Sequence, residues 1–433
     1  MNPSRSSTYA LTIILSFAAI VLAVADSTNR LRAGDWPQIL GPQRSGQAID
    51  EPALASSWES AAAPKLLWKI PVGSGYSGAV ISSGRAFLFD REGQTERLTS
   101  VDLKTGQRYW RAAWLATYAA GMDPDRGPRA VPAVVGDKIV CYGAAGELVC
   151  IDSISGKIRW QRALGTELKA DGGFFGAGSS PLIVDDVVIE IVGGKDVGIV
   201  GVDLTSGKTL WQAAGYDASY ASPIGVLIDG KSLALVPTRM RTVLLEVRSG
   251  KVLSEVPFEA RGASVIAASP LPLPQNHFLM TASYNIGAAL FRVNGNELQR
   301  VWKNTDLLAS QYNSPVLVGS TVIGVHGRED AGGPARMRGL QIDKPEVLWE
   351  EELSGPTHLI AVGDQLLQLV VDGTLRLSTV DSRGLTNTTS FTLPRGESQP
   401  TIYRALPALS DKIVVVRSTL DATHGEFLGY QLP

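Results

Sequence analysis

Short apolar runs separated by turn residues recur along the chain, and the stretch from Val202 to Trp211 shows the pattern most clearly. Val202 and Leu204 alternate with polar residues, as on a half-buried strand. Thr205-Ser206-Gly207 follows as a turn, because glycine adopts at little cost the positive φ that reverses a chain. Thr209 to Trp211 begins a returning strand. The segment predicts a β-hairpin, and helical periodicity is absent beyond the N-terminal apolar run.

The hairpin is one copy of a repeat in which glycine lies four residues after aspartate and tryptophan four residues after glycine. The three clear copies are Asp102, Gly106 and Trp110; Asp152, Gly156 and Trp160; and Asp203, Gly207 and Trp211. The tryptophan position recurs at intervals of 39 to 51 residues, at Trp68, Trp110, Trp160, Trp211, Ser254, Trp302, Trp349 and Thr388. A period in the forties with about four short strands per unit predicts the blades of a β-propeller.

Counting the units gives the number of blades. Seven complete units are expected at 79–112, 131–164, 180–213, 221–256, 266–304, 313–351 and 359–392. The tail from 401 to 433 supplies three strands, whereas 65–72 is a fourth strand without its first three. Joining them completes an eighth blade and leaves no sheet edge at the seam. We therefore predict an all-β fold: an eight-bladed propeller of four-stranded antiparallel blades over residues 65–433, closed by the N-terminal strand.

These residues resemble the repeats of the pyrroloquinoline-quinone-like (PQQ-like) β-propeller family, whose blade motif is A-x-D-x-x-T-G-x-x-x-W. The stretch from Ser100 to Trp110 matches all but the leading Ala, and the copies ending at Trp160 and Trp211 carry Ser for Thr as well. The resemblance implies that each tryptophan docks on a neighbouring blade beside the turn glycine. Eight-bladed members include quinoprotein alcohol dehydrogenases and the periplasmic scaffold of the outer-membrane barrel assembly machinery.

The first 25 residues predict a cleaved signal peptide. Arg5 precedes a nearly continuous apolar run from Tyr9 to Ala25, and Ala23-Val24-Ala25 suits cleavage before Asp26. A membrane anchor is the alternative, since about 17 apolar residues is near the lower limit for spanning a bilayer. No cysteine lies near the cleavage site, so we expect no lipid anchor, and no later stretch is apolar enough to span a membrane.

A turn-rich N-terminal extension is expected at 26–64, ahead of the propeller. Its segment Asp35-Trp36-Pro37-Gln38 is similar to the start of many secreted bacterial members of the family. Together with the signal peptide, this segment predicts a periplasmic or secreted protein.

Two cysteines flank Gly143-Ala144-Ala145-Gly146, a predicted hairpin turn. With a two-residue loop, Cys141 faces Leu148, and Cys150 lies diagonally on the same face, at or beyond disulfide reach. We expect two small buried apolar side chains. A cross-hairpin disulfide stays open as an alternative, because the predicted compartment is oxidising.

The resemblance implies a definite set of residues for quinone chemistry. Quinoprotein dehydrogenases stack the quinone between a tryptophan and a disulfide of adjacent cysteines, hold calcium with carboxylate and amide oxygens, and use an aspartate as base. Cys141 and Cys150 are nine residues apart, and no position matches the calcium ligands or the base. The repeated aspartates are expected to cap turns, and the four histidines lack metal-ligand spacing. We expect no catalytic residue, no metal and no cofactor, and PQQ with calcium stays open as an alternative that the residues do not support.

Loops on one face of the predicted disc combine arginine with aromatic residues. The fourth-to-first and second-to-third connections of a four-stranded blade emerge on the same face. The candidate residues there are Arg126, Arg129, Arg239, Arg261, Arg328, Arg336, Tyr76, Tyr284 and Tyr312, with Arg404 and Phe174 beside them. Arginine and aromatic residues are enriched at interfaces and suit anionic ligands. Solvated loops with local salt bridges are the alternative. The loop from His326 to Met337 is expected to be a flexible contact loop.

The function that the sequence predicts is a non-catalytic binding or assembly scaffold, secreted or periplasmic, that uses this face for a protein or a small anionic ligand. The alternative is a PQQ-dependent oxidoreductase. The formal net charge of −2 gives no reason to expect nucleic acid or an anionic membrane as partner. The sequence leaves open the partner, the oligomeric state and the role of residues 26–64.

Overall fold

A computed structural model describes residues 34–59, 62–119, 121–259, 265–328, 334–395 and 401–433. The predicted signal peptide at 1–25, Arg261 and residues 329–333 of the predicted contact loop lie outside the described residues. The described chain is almost entirely β-structure, with one short helix at Leu164–Glu167 (α1). No helix in this described part is long and apolar enough to cross a membrane.

Eight antiparallel sheets of four strands each form a ring, which confirms the predicted fold. The N-terminal strand is Lys65–Val72 (β1). Blades 1 to 4 contain Val80–Ser82, Arg85–Glu92, Thr95–Asp102 and Arg108–Leu115 (β2–β5); Ala133–Val135, Lys138–Tyr142, Glu147–Asp152 and Ile158–Ala163 (β6–β9); Leu182–Val184, Val187–Ile191, Gly194–Asp203 and Thr209–Tyr216 (β10–β13); and Ile224–Ile228, Lys231–Pro237, Arg241–Glu246 and Val252–Pro257 (β14–β17). Blades 5 to 8 contain Leu271–Leu273, His277–Ala282, Gly287–Asn294 and Glu297–Asn304 (β18–β21); Val316–Val318, Thr321–His326, Ala335–Gln341 and Glu346–Leu353 (β22–β25); Thr357–Val362, Gln365–Val370, Thr374–Asp381 and Gly384–Thr392 (β26–β29); and Ala408–Ser410, Ile413–Thr419 and Gly425–Gln431 (β30–β32).

The eighth blade closes the ring in the predicted way. β1 pairs with β32 along its length, so the strand that follows the extension completes the sheet of the last three strands. Arg417 on β31 is fully buried. Its guanidinium donates to the carbonyl oxygens of Phe89 at 3.0 Å and Gly73 at 2.8 Å. Main-chain pairing therefore completes blade 8, and one buried cation links that blade to blade 1.

Serines ahead of the inner strands link successive blades around the central channel. The Oγ atoms of Ser180, Ser222, Ser269 and Ser314 each accept a backbone N–H from the preceding blade, at 2.9 to 3.0 Å. Each of these serines precedes a proline that opens its inner strand. The hydroxyls satisfy buried N–H groups that no sheet ladder reaches, which gives the repeated Ser-Pro pairs a structural role.

The tryptophans of the outer strands dock on the next blade, as the resemblance implied. The indole N–H groups of Trp68, Trp110, Trp160, Trp211 and Trp302 donate to carbonyl oxygens of the neighbouring turns at 2.7 to 3.2 Å. A Cβ atom added at Gly106, Gly156, Gly207 or Gly250 would lie 2.3 to 2.7 Å from the docked tryptophan. Glycine is therefore needed at these turns for two reasons: the backbone has a positive φ, and the tryptophan ring approaches too closely for a Cβ atom.

The repeated aspartates hold the same turns from within. The Oδ1 atoms of Asp102, Asp152 and Asp203 accept the backbone N–H three residues later at 2.7 to 2.8 Å. The side chain and backbone of Ser206 stabilise the ionised form of Asp203, so the pKa of Asp203 lies below its ordinary value. These carboxylates are engaged in turn capping.

The N-terminal extension closes one end of the central channel. Trp36 forms an isolated β-bridge with Ile81 of blade 1, and Gln47 forms one with Ala361 of blade 7. Between them, the buried Arg44 donates to the carbonyl oxygens of Ser180, Pro181 and Pro223, in blades 3 and 4. Burial lowers the pKa of Arg44 to about 9, against the opposing charge of Glu190. Residues 36–47 thus form a plug that ties distant blades together from inside the ring, whereas Trp58 bonds to Thr389 on the outermost strand of blade 7.

The register of blade 2 corrects the expectation for the two cysteines. Cys141 pairs with Val149 and Cys150 with Val140, because Gly143 pairs with Glu147 and the loop between them contains three residues, 144–146, and not two. Side chains alternate across a strand, so the two thiols lie on opposite faces of the sheet and cannot form a disulfide. The prediction that they share a face was wrong. Both thiols are buried and free, in agreement with a packing role.

We expect Gly250→Ala to destabilise the protein by about 2–4 kcal/mol, because alanine must adopt a positive φ and its Cβ would lie 2.3 Å from Trp211. Gly230→Ala is the matched control within the same blade, since Gly230 also has positive φ but its Cβ would meet nothing within 4 Å. The control should lose only about 1 kcal/mol. Urea unfolding measures both free energies, and equal losses would show that tryptophan docking contributes nothing at this turn.

Candidate functional site

The blade-linking connections and the turns between second and third strands meet on one face of the disc, which we call the loop face. Isolated bridges join the two sets, for example Ser74 with Arg91 and Ser310 with Gly327. This arrangement follows from the antiparallel order of four strands, and it agrees with the prediction. The candidate arginines and aromatic residues that the structure describes all lie on or beside these connections.

A cluster of arginine and tyrosine side chains is formed by four connections between blades. These connections run from blade 7 to 8, from 8 to 1, from 1 to 2 and from 5 to 6. The guanidinium of Arg404 lies 5.4 Å from the ring centre of Tyr76 and 6.0 Å from that of Tyr312. The guanidinium of Arg129 lies 5.8 Å from Tyr76 and 5.2 Å from Tyr118. Two cations therefore flank one phenol ring, a geometry in which cation and π-face attract each other. These five residues form what we call the Arg–Tyr cluster.

The sequence identified four members of the Arg–Tyr cluster and missed Tyr118. Tyr118 follows the last strand of blade 1 and carries no repeat signal in the sequence. Only the fold of the β5–β6 connection brings it against Arg129. Its proximity could not be deduced from spacing alone, because that connection has no regular structure.

Two aspartates shape the β5–β6 connection under the Arg–Tyr cluster. Asp125 accepts the backbone N–H groups of Gly75 at 2.7 Å and Gly127 at 2.8 Å. The hydroxyl of Tyr76 donates to Asp123 at 3.2 Å. Burial raises the pKa of Tyr76 to about 12, and the charges of both aspartates add to that rise. Tyr76 is therefore a neutral hydrogen-bond donor throughout the physiological pH range.

His358, which the sequence left without a role, positions Arg404. Its Nδ1 lies 3.3 Å from the amide nitrogen of Asn313, which can only donate. The Nε2–H group therefore donates to the backbone oxygen of Arg404 at 2.7 Å. Burial lowers the pKa of His358 to about 4, so the ring is neutral at pH 7. The imidazole thus fixes the backbone that carries the Arg404 guanidinium.

Two further arginine–aromatic pairs lie away from the Arg–Tyr cluster. The guanidinium of Arg328 lies 4.2 Å from the ring centre of Tyr284, joining blades 6 and 5. That of Arg239 lies 5.3 Å from Phe174, joining the second-to-third turn of blade 4 to the loop before blade 3. The face therefore carries stacked guanidinium groups at three separate places.

The remaining candidates lie apart from these stacks. Arg336 forms an exposed ion pair with Glu350 at 2.9 Å, so the alternative of a local salt bridge describes this residue. Arg126 is exposed, and its carbonyl oxygen accepts from Arg91 at 3.1 Å. On the same connection Met122 is 69% exposed, and Leu115, at the end of β5, is 62% exposed. The edge of the face at blade 1 is therefore apolar as well as basic.

Residues for a metal or quinone site do not come together in the described chain. No group of three His, Cys, Asp or Glu side chains in that part could hold a metal ion. Cys141 and Cys150 lie on opposite faces of blade 2, so they cannot supply the paired sulfurs against which quinoprotein dehydrogenases stack their cofactor. These residues do not fit PQQ in the way that those enzymes hold it.

Eight four-stranded blades joined by the Asp–Gly–Trp turn define the protein as a PQQ-like β-propeller. A family model described as outer membrane protein assembly factor BamB matches residues 94–338. This match covers more than half of the chain, and the chain belongs to that family. Among curated proteins, none matches the sequence.

Solved structures share the fold at low sequence identity. BamB from Moraxella catarrhalis is 17% identical with a TM-score of 0.59, over 85% of this chain and all of that one. A europium-containing methanol dehydrogenase is 11% identical with a TM-score of 0.68, over 92% of this chain and 98% of that one. The C-terminal WD40 domain of Sif2 is 12% identical with a TM-score of 0.56, over 86% and 98% of the two chains. Likeness at this identity establishes the fold alone.

We expect the stability of the protein to fall as the pH decreases from about 6.5 towards 4, with His358 as one cause. In that window the unfolded histidine binds a proton and the buried one does not, so protonation favours unfolding. The contribution is fully present above pH 6.5 and amounts to about 3 kcal/mol. Urea unfolding at pH 7.5 and 4.5 should show a smaller loss for His358→Gln than for wild type. Identical losses would contradict a neutral buried imidazole.

Proposed function

We propose that the protein is a periplasmic or secreted binding scaffold that engages its partner through the loop face and performs no chemistry of its own. The observation that carries this proposal is the set of guanidinium groups stacked on aromatic rings, from Arg129 and Arg404 to Arg239 and Arg328. Membership in the family described as an outer membrane protein assembly factor supports a scaffold role.

The stacked arginines suit an anionic partner. A guanidinium packed over a ring loses less side-chain freedom when its N–H groups meet a carboxylate or phosphate. The guanidinium of Arg129 already forms an ion pair with Asp125 at 3.4 Å, so this argument applies to the other stacked arginines. The formal net charge of the chain is −2, so positive potential here is local to the face. Exposed Met122 and Leu115 add apolar area at one edge. Arginine, methionine and aromatic residues are those enriched at protein interfaces.

A protein partner with an acidic surface or segment fits this combination better than a small anion does. The stacks are spread over several blades, so one small molecule would contact few of them, whereas a protein surface of ordinary size could contact all. A partner held by arginines should dissociate more readily as salt is raised, because exposed charges are screened within about 8–10 Å.

The competing proposal is a PQQ-dependent oxidoreductase. The similarity to a methanol dehydrogenase over 92% of the chain favours it at the level of fold, but the positions of the cysteines and the dispersed carboxylates argue against it. Adding PQQ and calcium to the purified protein distinguishes the two proposals. We expect no bound quinone spectrum and no dye-linked alcohol oxidation. A stoichiometric quinone spectrum would overturn the scaffold proposal.

We expect the triple variant Arg129→Ala, Arg239→Ala, Arg328→Ala to lose partner binding by about 100-fold or more, since interface arginines typically contribute 1–2 kcal/mol each. The measurement is capture from native envelope extract, followed by titration against the captured partner at two salt concentrations.

The matched control replaces three arginines at turns on the opposite face: Arg108→Ala, Arg248→Ala, Arg383→Ala. Those side chains are exposed, so the control removes the same formal charge with little structural cost. Binding by this control should equal wild type. Equal loss in both variants would mean that net charge, and not the loop face, governs capture.

A further inference from the structure

Two buried glutamates lie beneath the loop face at the boundary of blades 1 and 2. Glu96 is near the start of β4 and Glu147 opens β8, so they occupy similar places in the third strands of adjacent blades. Glu96 is 0% exposed and Glu147 is 5% exposed. Neither residue is part of the Arg–Tyr cluster, and neither carries a role in the proposed binding. Ionised carboxylates are rarely buried to this degree unless they are paired.

Both carboxyl groups border the space that Gly143 leaves empty. A Cβ atom added at Gly143 would lie 2.1 Å from Glu96 Oε2 and 2.9 Å from Glu147 Oε2. Any side chain at position 143 would therefore collide with both groups. Gly143 does not have a positive φ, so its role here is to leave space for the carboxyl groups and not to form a left-handed turn.

One of the four oxygens lacks the partner that burial demands. Glu96 Oε1 accepts from Ala144 N and Oε2 from the Trp114 indole, both at 3.0 Å. Glu147 Oε1 accepts from the Thr117 hydroxyl at 3.0 Å. Glu147 Oε2 is buried and has no hydrogen-bond partner within the described chain. A proton on Glu96 Oε2 would supply the missing donor and remove the repulsion between two buried anions.

The pair is connected to the loop that carries candidate binding residues. Thr117, held by Glu147, begins the β5–β6 connection, which continues to Arg126 and Arg129. Arg91 donates to the carbonyl oxygens of Tyr118 at 2.6 Å and Arg126 at 3.1 Å. With one shared proton, the pair carries a single negative charge that balances Arg91. A second negative charge would leave this buried group unbalanced.

We propose that Glu96 and Glu147 share one proton, with the Glu96 hydroxyl donating to Glu147 Oε2, and that loss of this proton loosens the β5–β6 connection on the loop face. A loosened connection should also weaken partner binding at high pH, and this consequence rests on the proposed function. The loosening of the connection does not.

The electrostatics of every neighbouring element agree with a transition near neutral pH. Burial raises the pKa of Glu96 to about 7, and the charge of Glu147 adds to the rise, against hydrogen bonds from Ala144 and Trp114 and the charge of Arg91. The other ionisable groups packed around the pair on β7, Cys141 and Tyr142, have pKa values raised well above their ordinary ones by burial. Burial lowers the pKa of Arg91, and the like charges of Arg126 and Arg129 add to that change, against the charges of Glu96 and Glu147.

Glu96→Gln is the decisive variant, because it removes the Glu96 carboxyl and its amide can donate permanently to Glu147 Oε2, although the Trp114 indole N–H then loses its acceptor. The experiment is amide hydrogen exchange of the full-length protein, without partner, at pH 6 and pH 8.5, with rates divided by intrinsic exchange rates. We expect wild-type peptides that cover Thr117 and Arg126 to exchange up to about 30-fold faster at pH 8.5, tenfold for each pH unit above the pKa. In Glu96→Gln the two pH values should give the same protection.

Three outcomes would overturn the proposal: no pH dependence in wild type, the same dependence in Glu96→Gln, or a dependence spread evenly over all blades. Glu350→Gln, at an exposed ion pair, serves as the surface control and should behave as wild type. Glu147→Gln, which also leaves one donor between the groups, repeats the test if Glu96→Gln does not fold. Because no partner is present in the exchange experiment, its outcome does not depend on the outcome of the capture experiment. Failure of the shared-proton proposal can therefore be told apart from failure of the proposed function.

Discussion

The docking of an outer-strand tryptophan on the turn glycine of the next blade is the contact on which the ring depends. A single four-stranded sheet cannot bury both of its faces, so each blade is stable only when its neighbours cover it. The indole fills the gap between adjacent blades and donates to a turn carbonyl of the next blade. Where the repeat departs, at Ser254 and Thr388, the blades still pair their strands in the same order, which indicates that closure tolerates the loss of individual tryptophans.

Closure then divides the molecule into two unlike ends. The extension inserts Trp36 and Arg44 into the ring and bonds to inner strands that are far apart in sequence. Short turns capped by aspartate occupy the same side of the disc. On the other side, long connections of irregular structure carry the arginines and aromatic residues. Loops of this kind are where propellers place their binding functions, because the rigid ring holds them without constraining their sequence.

A shared fold explains why scaffolds and enzymes both resemble this chain. The europium-containing methanol dehydrogenase and BamB share the ring, and at 11% and 17% identity these likenesses establish the fold alone. Function must therefore be argued from side chains. The Arg–Tyr cluster and the buried glutamate pair are connected through the β5–β6 connection. The surface that would meet a partner is thus held in place by ionisable groups beneath it.

The sequence by itself determined the architecture of this protein, because each blade repeats the same pattern of strands and turn residues along the chain. Asp203, Gly207 and Trp211 have equivalents in other blades, because the geometry of the turn requires those residue types. The unpaired strand at 65–72 fits only a ring that closes on itself. Tertiary structure decided the contacts that do not recur from blade to blade. The register at Gly143–Gly146 set the cysteines on opposite faces, His358 met Asn313 and Arg404 from separate blades, and Glu96 met Glu147 across a glycine. Such contacts depend on irregular turns and on distances between blades, which spacing along the chain does not encode.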